Sequence, residues 1–329
     1  MTAGAAPAIT MPPLIKPKRL QPGDTVGLVT PSTYVSDPVE LQTAIRTIEY
    51  FGCKVKMGKF VRRKLGYLGG TIEERASDVN AMFADPGVQA VFAIRGGYGS
   101  AQILPELDYD LIRRNPKIFV GFSDITAMHL AIHQKTGLVT FHGPVPLSPF
   151  TEYTQKHYRK ALFESGPIGV VTNPPESNLL RPTHILRTVV GGKATGPLVG
   201  GCLTLLATTM GTPYEIDTTG KIFFIEDVGE EPYSMDRMLT QMRLAGKLER
   251  AAGIVFGECA RCVPREYKPG FDNNLSLQEV VDEILGKLRI PVLAGLTIGH
   301  TPDQLTLPIG ITTTLDADQR TLTIEEATS

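Results

Sequence analysis

Two rhythms of apolar and polar positions alternate along the first half of the chain. Short apolar runs, rich in β-branched residues, read as strands buried on both faces: Thr25–Thr30, Cys53–Met57, Val88–Ile94 and Ile118–Phe122. Between them apolar residues return every three or four positions, as a helix with one buried stripe requires. One such stripe is Leu41, Ala44, Ile45 and Ile48, stopped by Gly52; another is Ala76, Val79, Met82 and Phe83 behind the capping box Thr71-Ile-Glu-Glu74. A short helical piece covers Leu111–Arg114, and Ala127, Leu130 and Ala131 mark a helix after the last of these strands. Strand and helix in this alternation predict a largely parallel sheet flanked by helices, with ligands at the carboxyl ends of its strands. Arg95-Gly-Gly-Tyr-Gly99 and Ser123 both fall at such ends.

The pattern then breaks. Residues 144–184 hold Pro144, Pro146, Pro149, Pro167, Pro174, Pro175 and Pro182, which reads as a connection between domains. The second half, from about Gly191, is more mixed. Lys221–Ile225, Gly253–Phe256 and Val292–Ile298 read as strands. Ser234–Leu248 reads as a helix with Met235, Leu239 and Met242 inward, and the capping box Ser276-Leu-Gln-Glu279 opens another to Leu288. Leu305–Leu315 and Thr321–Glu325 read as a closing hairpin around Asp316–Gln319. The expected fold class is therefore α/β: an N-terminal domain with a largely parallel sheet, and a second mixed α/β domain with more β structure. The boundaries expected are a disordered lead-in at 1–17, the first domain at 18–165, the connection at 166–190 and the second domain at 191–329.

Composition narrows the function classes. A chain of 329 residues exceeds one ordinary core. Its net charge of −1, with cations spread throughout, offers no electrostatic surface for nucleic acid or membrane. No apolar run reaches the 18 residues of a membrane span, and the first 13 residues lack the basic start of a signal peptide. Four cysteines, Cys53, Cys202, Cys259 and Cys262, are too few for a disulfide framework in a chain this long. Cys259-Ala-Arg-Cys262 has redox or metal spacing, but no second pair completes a zinc site. Reduced thiols in the cytoplasm are the expectation.

The sharpest chemistry lies in Gly121-Phe-Ser123-Asp124-Ile-Thr126. A serine at a strand-to-helix corner exposes its hydroxyl beside free backbone N–H groups, which can stabilise an oxyanion; the alternative is a Ser/Asp helix cap. A nucleophilic serine needs a base and a group to orient that base. His129 and His133 share a helix face, but the glutamate of a zinc peptidase pair is missing, so both read as structural. His142 and His300 both sit at strand ends, and placement favours His300, beside Gly299. For the acid, Glu226 and Asp227 leave the apolar strand together, and either could instead cap a turn or pair with Arg237. The order Ser123, Glu226, His300 matches that of the α/β-hydrolases, although the second glycine of G-x-S-x-G is absent.

Several segments resemble, in order, the LD-carboxypeptidase family of serine peptidases. They are Arg95–Gly99, Gly121–Thr126, Gly196-Pro-Leu-Val-Gly-Gly-Cys202, Ile225-Glu-Asp-Val-Gly-Glu230, Met235-Asp-Arg-Met238 and Gly299-His300, and the resemblance runs from about Lys18 to the C-terminus. It implies a catalytic triad of Ser123, Glu226 and His300, and an oxyanion hole from the N–H groups of Gly97 and Asp124. It further implies hydrolysis of the bond before a terminal D-alanine in murein tetrapeptides, during peptidoglycan recycling, by a cytoplasmic homodimer that needs no metal or cofactor. Arg95, beside the oxyanion loop, is a candidate to bind the substrate carboxylate, with a structural bond to nearby carbonyls as the alternative. Cys202 stands where the family often carries asparagine. A microcin-type hydrolase of peptidyl or aminoacyl nucleotides is the alternative within the family. It would use an aromatic-bearing loop, and this chain has no tryptophan, only Phe150, Tyr153 and Tyr158 in the connection. Outside the family, the alternatives are a non-catalytic two-domain peptide-binding protein and a redox or metal protein built on Cys259 and Cys262.

Overall fold

The computed structural model describes residues 12–176, 178 and 180–329; the first eleven residues of the expected lead-in lie outside the described residues. The first half runs β1 (Thr25–Val29), α1 (Pro38–Tyr50), β2 (Lys54–Met57), α2 (Ile72–Ala84), β3 (Ala90–Ala93), α3 (Tyr109–Arg114), β4 (Ile118–Gly121), α4 (Thr126–Thr136), β5 (Phe141–His142) and α5 (Glu152–Leu162). The connection carries β6 (Gly169–Val171) and β7 (Arg187–Val190). The second half runs β8 (Lys193–Cys202), α6 (Leu203–Thr208), β9 (Ile222–Val228), α7 (Pro232–Leu244), β10 (Gly253–Ala260), α8 (Leu277–Ile284), β11 (Val292–Leu296), β12 (Leu307–Pro308), β13 (Thr312–Asp316) and β14 (Thr321–Ile324).

Two sheets form. The first has the order β12-β5-β4-β3-β1-β2 and is parallel except for β12. The second has the order β6-β14-β13-β8-β9-β10-β11-β7, with a parallel centre (β8 to β11) and antiparallel flanks. Each central strand alternates its side chains between two cores. In β4, Ile118 and Val120 enter one core while Phe119 packs under α2, α3 and α4. In β9, Ile222 and Phe224 join the core shared with the first sheet, whereas Phe223 and Ile225 pack under α6, α7 and α8.

Both capping boxes are present, at Thr71/Glu74 and Ser276/Glu279. Some expected elements are redrawn. The helix expected to reach Leu248 stops at Leu244, because Gly246 turns the chain with φ 67°. The strand expected over Leu305–Leu315 is two strands in different sheets, β12 beside β5 and β13 beside β8. The connection supplies both edge strands of the second sheet, β6 and β7. The expectation of reduced thiols is corrected at one pair: Cys259 and Cys262 form a disulfide. Arg261, with φ 58°, turns the chain back after β10 and brings the two Cα atoms to 5.5 Å. Cys53 and Cys202 are free and buried. Among the described residues there is no helix long and apolar enough to cross a membrane, and no group of three or more residues able to hold a metal.

Candidate active site

Ser123 follows Phe122, which is extended, and opens a single 3₁₀ turn (Ser123–Ile125) that leads into α4. It is one of three residues other than glycine with positive φ among the described residues, at 61°. A serine forced into the left-handed region at a strand-to-helix corner is held up from the sheet edge, at a strain of order 1–3 kcal/mol. The Gly96–Gly97 loop comes down onto it. A Cβ at Gly96 would stand 3.1 Å from Ser123 Cβ and 3.4 Å from the backbone nitrogen of Asp124. Gly97 has φ 112°, and a Cβ there would strike Thr33. The glycine loop therefore lies this close to the serine corner because Gly96 carries no side chain.

Side chains then fasten the corner. Asp124 Oδ2 accepts from Ser32 Oγ at 2.5 Å and from the Ser100 backbone N–H at 2.8 Å, while Ser100 Oγ donates to Asp124 O. Arg75 of α2, only 2% exposed, donates to Pro31 O at 2.7 Å, Gly99 O at 2.8 Å and Gln102 Oε1 at 2.7 Å. Sequence reading missed Arg75, although a charged residue next to Ala76 in a buried stripe is a visible signal. Arg95 lies 3.7 Å from Glu40, in a half-exposed pair that leaves its guanidinium at the surface beside the glycine loop.

The second sheet supplies the remaining groups. The alternation along β9 sends Glu226 and Asp227 to opposite faces. Asp227 caps α6, accepting from Thr204 N at 2.8 Å, Thr204 Oγ1 at 2.9 Å and Val228 N at 2.8 Å. Glu226, fully buried, faces the first domain, and its Oε2 lies 2.8 Å from His300 Nδ1. Burial pushes the Glu226 carboxyl up from its ordinary range, and the hydrogen bond to His300 opposes that shift. Its other oxygen has no partner among the described residues. Gly299 permits the approach, since a Cβ there would stand 2.3 Å from Glu226 Oε2. His300 packs on the ring of Phe122, centroids 4.8 Å apart, which sets it beside the serine corner.

Three other histidines are committed elsewhere. His142 is fully buried; its Nε2 donates to Ile298 O at 2.9 Å, and burial pushes its pKa down to about 3. His129 Nε2 donates to Gly121 O at 2.9 Å and His133 Nδ1 to Leu138 O at 3.1 Å, so both serve the backbone around α4. The two halves meet at the site: a Cβ at Gly201 would strike Thr126, and the Cys202 backbone N–H donates to Thr126 Oγ1 at 3.0 Å.

Residues 26–143 match the model of the LD-carboxypeptidase N-terminal domain, and residues 195–315 match that of the LD-carboxypeptidase C-terminal domain. The chain is 43% identical over 319 residues to a probable murein peptide carboxypeptidase of Bacillus subtilis, covering 95% of each. It is 31% identical over 335 residues to the microcin self-immunity protein MccF of Escherichia coli, covering 92% of this chain and 94% of that protein. A structure of MccF without ligand superposes with TM-score 0.84 and 30% identity, over 96% of this chain and all of the other. The muramoyltetrapeptide carboxypeptidase of Oxalobacter formigenes superposes with TM-score 0.78 and 29% identity, over 92% and 98% of the two chains.

Proposed function

The chain belongs to the LD-carboxypeptidase family, and from that premise we propose that it is a serine carboxypeptidase releasing the terminal D-alanine of murein tetrapeptides. The observation that carries the reading is the buried Glu226 carboxylate 2.8 Å from His300 Nδ1, beside the strained Ser123 corner. A carboxylate on Nδ1 fixes the tautomer that leaves Nε2 free to accept a proton, and it stabilises the imidazolium that results. His300 takes the Ser123 proton as Oγ attacks the carbonyl of the diamino acid. The N–H groups of Gly97 and Asp124 take up the oxyanion. Collapse expels D-alanine, whose amine receives the proton from His300, and a water activated by the same base releases the acyl group. Arg95 pairs with the carboxylate of the departing D-alanine. In this reading the enzyme works as a cytoplasmic homodimer on murein-derived peptides in peptidoglycan recycling, without metal or cofactor. The relatives named as murein peptide carboxypeptidases support that substrate class.

The test is D-alanine release from a murein tetrapeptide by wild type and Ser123→Ala, with an aminoacyl sulfamoyl adenosine as a parallel substrate. Release by wild type, reduced at least about 10⁴-fold in the variant, is expected. No release of D-alanine, with cleavage of the nucleotide conjugate instead, would overturn the murein assignment. Release undiminished in Ser123→Ala would overturn the serine mechanism.

A further inference from the structure

The loop that carries His300 is fastened by residues outside the proposed triad. From α5, Thr154 Oγ1 donates to Pro302 O at 3.1 Å and accepts from the Gln304 backbone N–H at 2.9 Å, and from the N-cap of that helix Thr151 Oγ1 donates to Asp303 Oδ1. From the connection, Asn173 accepts from the Thr297 N–H at 2.9 Å and donates to Gly295 O at 2.6 Å. His184, also in the connection, closes the set. Its Nδ1 lies 2.9 and 3.1 Å from the two carboxylate oxygens of Glu258, and its Nε2 lies 3.1 Å from Asp303 Oδ2. The backbone of His184 is held too: its N–H donates to Glu176 Oε1 at 2.5 Å, and its carbonyl accepts from Asn173 Nδ2 at 3.3 Å.

The two carboxylates that His184 joins are not equivalent. Asp303 belongs to the His300 loop. Glu258 follows Gly257, which lies against the acid: a Cβ at Gly257 would stand 3.2 Å from Glu226 Cβ and 2.5 Å from Ile298. Glu258 is thus tied to the strand that packs on Glu226, and Asp303 to the loop that presents the base. Glu258 sits half-buried near Glu176 and Asp303; burial pushes its carboxyl up, and the hydrogen bond to His184 counters this. Without the imidazole, two carboxylates would face each other across the loop.

We propose that His184 is a positioning residue for this reaction: by bridging Glu258 and Asp303 it holds the His300 loop in register with Glu226. The inference rests on the assignment of His300 as the base. A misplacement of about 1 Å at a base can cost about 10²-fold in rate. His184→Ala is therefore expected to lower kcat for D-alanine release by about 10²-fold while KM stays within about twofold, and added imidazole is expected to restore part of kcat. His184→Ala combined with Asp303→Asn should be no slower than His184→Ala alone, since the amide keeps an acceptor for Thr151 and both changes break the same His184–Asp303 link.

A readout without turnover separates this inference from the function itself. In Ser123→Ala, the His300 Nδ1 proton bonded to Glu226 should give a distinct downfield NMR resonance. Adding His184→Ala should shift or broaden it, and Asp303→Asn, which keeps the shape of the side chain, should do the same if the alanine variant folds poorly. Unchanged kcat, a rise in KM alone, or an unchanged His300 resonance would each overturn the positioning role. Failure of wild type to release D-alanine would count against the proposed function, and the resonance would still decide the bridge.

Discussion

At the scale of single residues, the site is a set of close approaches that ordinary side chains would forbid. Ser123 stands at φ 61°, and Gly96, Gly97 and Gly299 are where a Cβ would meet Ser123, Thr33 and Glu226. The same crowding leaves Glu226 fully buried with one oxygen unpartnered among the described residues, so its ionised form is held at a cost in stability. A carboxyl whose folded pKa is raised binds its proton more tightly folded than unfolded. Its contribution is then lost as pH rises from the ordinary value of 4.5 through the raised one. Glu226→Gln keeps the shape and an acceptor for His300 Nδ1 but removes the charge. The expected outcome is a kcat lower by roughly 10³–10⁴-fold, with a melting temperature at or above that of wild type at neutral pH. The gap between the two melting curves should widen as pH rises. A variant that melts well below wild type at pH 8 would show that the buried charge contributes to stability, contrary to this account.

At the scale of elements, loops at the carboxyl ends of β1 and β3 are held by a helix side chain. Arg75 of α2 reaches from the helix interior to Pro31 O, Gly99 O and Gln102 Oε1. Burial pulls its pKa down, and the nearby Asp124 charge opposes that shift. Arg75→Met would leave several buried acceptors unpaired, at about 1–3 kcal/mol for each that water cannot reach. A loss of at least about 3 kcal/mol in urea denaturation is expected, together with a lower kcat as the Gly97 loop loosens. A loss under about 1 kcal/mol with unchanged kcat would mean that the loop holds itself. The alternation of the first half and both capping boxes were legible in the sequence because each depends on neighbours three or four residues apart. Glu226 and Asp227 could not be separated there, since β9 is apolar on both faces and its pattern does not say which parity meets the first domain. Leu305–Leu315 read as one strand because its apolar residues are continuous, yet two different sheets compete for it and divide it. His184 gave no signal at all: its partners Glu258 and Asp303 lie 74 and 119 residues away.

At the scale of the whole molecule, the two sheets are not separate bodies joined by a tether. One core contains Val26, Phe92 and Val120 of the first sheet together with Phe224, Val255 and Leu293 of the second. A large apolar junction of this kind resists relative domain motion, which suits the proposed site, whose Ser123 and Glu226 come from opposite sides of it. His142 packs on Phe224 of this junction and His129 packs behind it, the ring centroids of Phe224 and His129 lying 5.0 and 6.4 Å from that of His142, and burial disfavours protonating either imidazole. Burial pushes the pKa of His142 down to about 3 and that of His129 down to about 4. The unfolded chain takes up those protons near the ordinary value of 6.5, so the stability these neutral rings contribute is present above that pH. It is lost as pH falls from there toward about 4, at up to about 1.4 kcal/mol per pH unit for each ring. Urea denaturation at pH 7, 6 and 5 should show stability falling steeply with acid. His129→Gln, which keeps a donor for Gly121 O, should remove close to one proton's worth of that slope. Equal slopes for wild type and His129→Gln would show that the acid sensitivity comes from the carboxylates instead, and that His129 is protonated in the folded protein.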